Sequence, residues 1–156
     1  MEDGMHPNAK GMVLASFCGD ALALGPHWIY DTEDIAELFG SICGFTDPKG
    51  GYHPNRKAGQ FTHYGDQSLC LLQSLADKGF FDLSDFSERW QALFSDYDGY
   101  YDHATKNTQT NLASGWGPED SGSGSKDLAG AGRIAPLVYF YQDDLDGLVA
   151  AAIAQT

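Results

Sequence analysis

The sequence predicts an all-α fold, and three observations support that class. Apolar residues recur at helical spacing in several segments. Capping residues, glycine and proline stand where those segments begin and end. No segment shows the alternation of apolar and polar residues that is typical of strands, and no internal repeat is present. We therefore expect the 156 residues to form a single helical domain, 1–156.

The first predicted helix covers residues 9–24, where small apolar residues continue almost all round the helix. This composition favours a closely packed central helix, which a Gly-Pro pair ends. A short, exposed helix is predicted next, beginning at Asp31 or Thr32 and running through Phe39. Acidic residues fill its first turn, and Gly40 is its stop.

The middle of the chain combines a long loop with two helices. Residues 41–62 contain glycines, prolines and aromatic residues without a period, so we expect one irregular loop, and long loops are often functional. Leucines at helical spacing predict a helix over 66–78. A second helix is predicted over 83–100. Its large apolar residues form one stripe, interpreted as core: Phe86, Trp90, Leu93, Phe94 and Tyr97.

The last third of the chain contains three more predicted helices. A polar helix is expected over 103–113, after an aspartate cap. The Gly/Ser-rich segment 115–127 is unable to bury itself, so it is predicted to be a loop that serves as a linker or a ligand clamp. Residues 128–141 predict a buried helix with a kink near Pro136, and residues 144–156 predict a last helix.

The last predicted helix has no capping glycine, no basic last turn and no following proline. This pattern favours a chain cut inside an element, so that residues 1–156 would be the amino-terminal half of a larger fold. Such a piece is expected to expose an apolar patch around Leu137, Val138, Leu148 and Ile153. We expect it to be unstable when expressed alone or to self-associate through this patch.

Charge and cysteine content limit the classes of function. Nine lysines and arginines stand against 22 acidic residues, and the formal net charge of −13 repels nucleic-acid phosphates and anionic lipids. We therefore expect small molecules, metal cations or proteins as partners, with no nucleic acid and no membrane. The three cysteines have neither disulfide nor zinc-ligand spacing. Acidic residues stand where a signal peptide is basic, which predicts a cytoplasmic protein.

Asp20 is unusual because it lies in a segment of small apolar residues, where an unpaired carboxylate would be costly to bury. In one interpretation, Asp20 accepts hydrogen bonds from backbone N–H groups of a loop and fixes the helix end. In the other, it belongs to a cation site. The residues alone leave both interpretations open.

Residues 62–68 place hydroxyls, an imidazole, a carboxylate and an amide at a loop-to-helix junction. Oxygen ligands of this kind suit magnesium, whereas an ordinary helix cap by Asp66 explains the same residues. Three histidines, His27, His53 and His63, share no ligand spacing and lie around different loops. Each is interpreted as a surface or packing histidine.

Three segments resemble the ADP-ribosylglycohydrolase family, whose all-helical members cleave ADP-ribose from proteins or related compounds with two magnesium ions. Residues 19–22, Gly-Asp-Ala-Leu, resemble the family's first motif. Residues 65–68, Gly-Asp-Gln-Ser, stand where the family carries Thr-Asp-Asp-Thr, whose oxygens bind the metals. Residues 133–137, Arg-Ile-Ala-Pro-Leu, resemble its Met-Arg-Ile-Ala-Pro-Leu segment. The resemblance spans nearly the whole chain and implies an orthogonal helical bundle.

The resemblance implies a magnesium site at Asp66, Gln67 and Ser68. Asp66 matches a ligand aspartate of the family, Gln67 replaces the second aspartate, and Ser68 supplies a hydroxyl. A register shifted by about one helical turn would place Thr62 or His63 at these positions instead.

The resemblance also implies substrate binding by Asp20, Ser123, Gly124, Ser125 and Gly130. The Gly/Ser segment would approach the diphosphate or ribose of ADP-ribose, or Arg133 would fix this segment in place. We expect a hydrolase that cleaves the glycosidic bond of free or protein-linked ADP-ribose with magnesium. Residues 25–28 carry no acid where the family has its catalytic glutamate, so no catalytic residue is assigned. The alternative is an inactive relative, either a crystallin-like structural protein or an ADP-ribose-binding protein.

Overall fold

The computed structural model describes residues 8–156, and the acidic start of the chain lies outside this range. The described residues form seven α-helices and a short 3₁₀ helix, with no strand, which confirms the all-α class. No helix among them is long and apolar enough to cross a membrane. In chain order the elements are α1 (Ala9–Ala23), α2 (Thr32–Phe39), α3 (His63–Lys78), α4 (Leu83–Ser95), α5 (His103–Ala113), the 3₁₀ helix (Ala131–Arg133), α6 (Ala135–Phe140) and α7 (Leu145–Gln155).

Helix α3 is the central element, because it packs against α1, α4, α6 and the 3₁₀ helix. Its apolar residues recur on one face at helical spacing, and that face meets the aromatic stripe of α4. Burying each large apolar side chain contributes about 1.5–3 kcal/mol. The core residues are Cys70, Leu71, Leu75, Phe86, Trp90, Phe94, Leu137 and Ala151. The predicted stripe is therefore core, with Leu93 and Tyr97 packed at its edge.

Aspartate side chains cap four of the helices. Each accepts a hydrogen bond from a backbone N–H of the first turn, which stabilises the helix by about 1 kcal/mol. The caps and the residues whose N–H groups they bind are Asp31 with Glu33, Asp82 with Asp85, Asp102 with Thr105 and Asp144 with Gly147. These contacts confirm the predicted starts of α2, α4, α5 and α7.

Two predicted helix boundaries are wrong by about one turn or more. Helix α3 begins a turn early, at His63, because the Thr62 hydroxyl oxygen accepts a hydrogen bond from the Tyr64 N–H at 3.1 Å and caps the helix there. Helix α4 ends at Ser95 rather than at residue 100, because Asp96 leaves helical geometry with φ −140° and ψ 44°. The chain then crosses back toward α3 as a loop.

The segment 128–141 is not the single kinked helix that was predicted. A 3₁₀ helix and α6 divide it, and Pro136 lies in the first turn of α6. The missing N–H of a proline leaves no helical hydrogen bond unmade at that position. Pro136 therefore lies in the first turn of a helix and does not kink one.

Helix α1 forms as predicted, but the prediction that it is closely packed at the centre is wrong. It contacts α3 and α6 along one face and leaves side chains such as Leu14 and Leu22 exposed. When small apolar residues surround a helix, no single apolar face stands out. Such a sequence therefore does not determine how much of the helix surface packs against other elements. Its buried residues are Ala9, Val13 and Ala21.

The predicted apolar patch is present only in part. Leu137 lies in the core, and Val138 and Leu148 are half-buried. Ile153 and Val149 are exposed one turn apart on α7, so the exposed apolar surface follows this helix. Leu137 is buried because α6 packs against both α1 and α3.

Replacing Leu71 by alanine is expected to lower the free energy of unfolding by about 2–5 kcal/mol, because the change leaves a cavity in the core. The Leu71 side chain is 0% exposed and that of Ile153 is 73% exposed, so Ile153→Ala is the control. The control should change stability by no more than about 0.5 kcal/mol. Urea unfolding followed by circular dichroism measures both. Equal losses in the two variants would contradict this assignment of the core.

Candidate functional site

Asp20 is bound to the residue that begins α3. Its carboxylate accepts hydrogen bonds from the Thr62 hydroxyl at 2.6 Å and from the Thr62 backbone N–H at 2.8 Å. Burial raises the pKa of Asp20, and the hydrogen bonds from Thr62 oppose that shift. Gly65 packs so closely on this carboxylate that a Cβ would overlap it. The structure thus shows the first interpretation of Asp20, a carboxylate that accepts a backbone N–H from the loop.

Asp66 faces the loop on another side of α3. Its Oδ2 accepts hydrogen bonds from Arg56 Nη2 at 2.7 Å and from the Tyr97 hydroxyl at 2.6 Å. The Arg56 guanidinium also lies over the Tyr97 ring, 5.0 Å from its centroid. Burial and the bond to Asp66 raise the pKa of Tyr97, so this hydroxyl stays protonated. One carboxylate oxygen of Asp66 therefore takes part both in an ion pair with Arg56 and in a hydrogen bond with Tyr97.

Gln67 points into the protein and joins several elements. Its Oε1 accepts hydrogen bonds from Trp90 Nε1 and from Arg133 Nη1, both at 2.8 Å. Its Nε2 donates to the His63 carbonyl at 3.0 Å. Arg133 continues the network, donating from Nε to Gln155 Oε1 at 2.5 Å and from Nη2 to the Gln155 carbonyl at 2.6 Å. Burial lowers the pKa of Arg133 to about 10.

The predicted magnesium ligands do not converge on one point. Consecutive residues of an α-helix point about 100° apart, and here Asp66 meets Arg56 while Gln67 meets Arg133. The Ser68 hydroxyl is buried without a hydrogen-bond partner in the described structure. A divalent cation at either oxygen would face a guanidinium. These side chains do not fit magnesium, and the described part of the chain contains no group of three or more His, Cys, Asp or Glu side chains arranged to hold a metal ion.

The alternative register of the metal motif agrees better with where α3 begins, since Thr62 is the capping residue. In that register, His63 and Tyr64 take the places of the two aspartates. The His63 side chain is 0% exposed, and both of its ring nitrogens lack a hydrogen-bond partner within the described residues. This register also supplies no pair of carboxylates for magnesium.

Three histidines that the sequence analysis separated meet beside the start of α3. His27 Nδ1 and His53 Nε2 form a hydrogen bond of 2.6 Å, and their rings stack with centroids 4.9 Å apart. The His63 ring centroid lies 6.2 Å from that of His27. They are packing histidines, as interpreted, but they form one cluster. The segment between His27 and His53, which contains α2, brings them together, and no ligand spacing in the sequence indicates that contact.

Asp102 connects this histidine cluster to α5. Its Oδ2 accepts a hydrogen bond from the Tyr64 hydroxyl at 3.2 Å and lies 3.5 Å from His63 Nε2. Its Oδ1 accepts from the Thr105 N–H at 2.8 Å. Burial alone would raise the pKa of Asp102, but His63 and the bonds to Thr105 hold it well below its usual range. The carboxylate is therefore ionised and fixed in place.

A cavity of about 330 Å³ lies between α4, α5, the Gly/Ser segment and the end of α7. Gln67, which is buried, and Arg133, which is half-buried, both line the cavity. The predicted substrate-binding residues that line it are Ser123, Ser125 and Gly130. Gly124 is exposed and Asp20 is bound to Thr62, and neither lines the cavity. The structure therefore brings together three of the five predicted residues.

The fold and the cavity define an all-helical domain with a concave site, lined by apolar and polar side chains, of the size that small molecules use. The chain belongs to the ADP-ribosylglycohydrolase family, because residues 1–156 match that family over the whole sequence. No curated protein matches the chain. Family membership supports a hydrolase-like role.

Lowering the pH from 6.5 to 4 is expected to destabilise the protein through His27 and His53. Burial, and then repulsion from neighbouring histidines and, at His53, from Arg56, lower the pKa of both imidazoles from 6.5 to about 4. The unfolded chain therefore binds more protons in this window. The stability from these groups is fully present above pH 6.5 and is lost as the pH falls toward 4. Urea unfolding at several pH values should show a loss of about 1–3 kcal/mol.

Two variants isolate the contribution of the histidine cluster to this pH dependence. His53→Gln removes one imidazole and should reduce the loss of stability at low pH. His103→Gln removes an exposed imidazole on α5 and should leave the loss unchanged. The same pH dependence in His53→Gln as in the unmodified chain would contradict the explanation.

Replacing Asp66 by asparagine is expected to leave magnesium affinity unchanged, because its carboxylate already pairs with Arg56. The variant should unfold at lower denaturant concentration, because the partly buried Arg56 loses its counter-charge at a cost of about 1–3 kcal/mol. Calorimetric titration with magnesium chloride measures the affinity. A clear fall of magnesium affinity in the variant would show that Asp66 is a metal ligand after all.

Proposed function

We propose that this protein is a hydrolase that cleaves the glycosidic bond of free or protein-linked ADP-ribose, and that the cavity beside α5 binds the ADP-ribose portion. Membership of the ADP-ribosylglycohydrolase family supports the class of reaction. The cavity is the observation that supports the location of the proposed ADP-ribose site, because its lining combines the Gly/Ser segment with a guanidinium and aromatic side chains. The acidic composition is consistent with the proposed cytoplasmic location and with partners other than nucleic acid.

The lining of the cavity suits the parts of this ligand. Phe86 and Trp90 offer apolar surface to a planar base. Ser123 and Ser125 offer hydroxyls to ribose or phosphate oxygens, and Arg133 offers positive charge. Small-molecule sites commonly enclose about 300–1,000 Å³ in this mixture of apolar walls and a few polar groups.

Hydrolysis at the anomeric carbon passes through an oxocarbenium-like transition state, which requires an acid for the leaving group and a base for the attacking water. Glu119 and Asp127 are the carboxylates among the residues that line the cavity. They are therefore the candidates for these two roles. No step is assigned to magnesium, because Arg56 and Arg133 hold the oxygens of Asp66 and Gln67.

A noncatalytic relative is the second candidate, either a crystallin-like structural protein or an ADP-ribose-binding protein. The guanidinium groups bound to Asp66 and Gln67 favour it, because the family's metal chemistry has no matching oxygens at these positions. Self-association through the exposed stripe at Val149 and Ile153 is proposed for either candidate.

Replacing Thr108 by tryptophan is expected to fill the cavity and to abolish binding and release of ADP-ribose. Thr108 lines the cavity, whereas its neighbour Asn107 is exposed on the same helix and does not. Asn107→Trp is therefore the control and should retain both properties. Calorimetric titration with ADP-ribose and an assay for ADP-ribose release measure them.

The two assays separate the candidate functions and the candidate site. Unchanged ADP-ribose affinity in Thr108→Trp would contradict the cavity as the site. Binding by the unmodified chain without release from any ADP-ribosylated substrate would favour the noncatalytic candidate.

A further inference from the structure

Four aromatic side chains form a cluster on the protein surface beside the histidine cluster, and we name it the Trp28 cluster. Its members are Trp28, Tyr30, Tyr52 and Tyr100. We propose that the Trp28 cluster binds a small molecule that carries a quaternary ammonium group. This inference goes beyond the proposed function, because none of the four side chains lines the cavity beside α5.

The ring of Trp28 is the centre of the cluster. Its centroid lies 5.2 Å from that of Tyr100, 5.4 Å from that of Tyr52 and 6.2 Å from that of Tyr30. The ring planes of Tyr100 and Tyr30 stand at 69° and 73° to that of Trp28, and Tyr52 stands at 74° to Tyr100. Ring faces therefore point in several directions. One cation is able to lie within about 6 Å of more than one ring centroid, the distance at which cation–π attraction acts.

The backbone holds Trp28 in a conformation that favours glycine. The Ile29 N–H donates to the Pro26 carbonyl at 2.9 Å and closes a turn in which Trp28 is the third residue. Its φ is 67°, and within residues 8–156 no other residue except glycine has a positive φ. A positive φ is rare for a bulky side chain, and backbone outliers of this kind cluster at ligand sites. The turn therefore positions this ring at a cost to the backbone, as is typical of a functional residue.

Two rings of the cluster are open to solvent. Tyr30 is 82% exposed and Tyr52 is 44% exposed, whereas Trp28 and Tyr100 are half-buried. Gly50 allows the loop to approach at Tyr52, because a Cβ there would lie 2.9 Å from the His27 carbonyl oxygen. The fold thus brings large rings together and leaves ring surface accessible. An exposed apolar group of this kind marks an interaction site.

The charge around the cluster favours a cation. The face of an aromatic ring is its negative side. Burial, and then the charge of Asp102, raise the pKa of Tyr100, so this carboxylate acts on a ring of the cluster. Three exposed acidic residues also follow Tyr30 closely in the chain: Asp31, Glu33 and Asp34. These carboxylates attract a cation toward the rings.

Lys106 already places a positive charge on one ring of the cluster. Its Nζ lies 5.4 Å from the Tyr100 ring centroid and 5.5 Å from that of Tyr101. The contact shows that Tyr100 is accessible to a cation. A second cation at the same ring would be repelled by this ammonium group. Removing the Lys106 charge should therefore strengthen binding of a cationic ligand.

The ring faces suit a cation without N–H donors. A primary ammonium is compact and strongly hydrated, and a ring face does not replace the hydrogen bonds that it makes to water. A quaternary ammonium has no N–H group, so it loses less on leaving water and its methyl groups pack on the rings. Several aromatic rings around one position are the usual protein site for such a group.

The test is a nuclear magnetic resonance titration of the whole chain with tetramethylammonium chloride at constant ionic strength. The indole N–H signal of Trp28 should shift saturably, and that of Trp90, which lines the cavity, should stay in place. Tert-butanol is neutral and similar in shape, so it serves as the control ligand. It should give no saturable shift, because the attraction depends on charge.

A double variant tests the exposed rings. Replacing Tyr30 and Tyr52 by leucine keeps apolar bulk but removes two ring faces, so tetramethylammonium affinity should fall about fivefold or more. Phe80→Leu is the control, because Phe80 is 55% exposed and is not part of the cluster. Its affinity should equal that of the unmodified chain.

A gain of affinity provides a test that a purely structural role of the rings would not pass. Lys106→Met should bind tetramethylammonium about two- to fivefold more tightly, because it removes the competing charge at Tyr100. Lys10→Met changes the net charge equally at an exposed position of α1 and should have no effect. If the tyrosine double variant does not fold, this pair decides the question.

Several results would overturn the proposal. These are no saturable binding of tetramethylammonium, equal shifts with tert-butanol, unchanged affinity in a folded tyrosine double variant, or no gain in Lys106→Met. The outcome is independent of the proposed function. Tetramethylammonium binding by a chain that does not bind ADP-ribose would support the Trp28 cluster and reject the cavity, and ADP-ribose binding alone would do the reverse.

Discussion

The structure depends on the buried side-chain oxygen of Gln67. That oxygen accepts hydrogen bonds from the Trp90 indole and the Arg133 guanidinium, while the amide nitrogen donates within α3. Through Arg133 the network continues to Gln155 on α7. A buried amide or indole left without its partner would cost about 1–3 kcal/mol, so these contacts constrain how α3, α4 and the end of the chain pack. Because Gln67 and Arg133 also line the cavity, the same network shapes the core and the candidate site.

Two arginine side chains, Arg56 and Arg133, carry the positive charge beside α3. Arg56 neutralises Asp66, and Arg133 points its charge at neutral amides. The first arrangement removes a carboxylate from metal chemistry, and the second leaves a cation facing a cavity. Glu119 and Asp127 line the same cavity as Arg133, so the cavity presents both signs of charge to a ligand.

Local signals in the sequence predict much of the fold. Aspartate caps identify the starts of α2 and α5, a glycine stop identifies the end of α2, and the apolar period of α4 identifies the core stripe. The failures involve distant contacts. Thr62 was assigned to a loop, but its hydroxyl caps α3 while Asp20 holds it from a position 42 residues earlier. Gly65 lies so close to the same carboxylate that a larger side chain would overlap it. Packing therefore explains this glycine, which stands where the family motif has a threonine.

The residues of the candidate site divide in the same way, into those that local sequence signals predict and those whose contacts depend on distant parts of the chain. The family resemblance implied substrate binding at Ser123, Ser125 and Gly130, and these three residues line the cavity. Sequence reasoning missed the histidine cluster, because its contacts require the long loop to fold back on α3. It also raised Arg133 only as a residue that fixes the Gly/Ser segment. Its bonds to Gln67 and Gln155 depend on tertiary packing that no local spacing indicates.

The central claim, that ligands enter the cavity beside Gln67 and Arg133, is tested most directly by nuclear magnetic resonance of the indole N–H groups during titration with ADP-ribose. Trp90 Nε1 is bonded to Gln67 and its side chain lines the cavity, whereas Trp28 lies among the tyrosines beside the histidine cluster. The account predicts that the Trp90 indole signal shifts on binding while that of Trp28 stays in place. A shift of Trp28 with Trp90 unchanged, or no shift of either at saturating ligand, would contradict it.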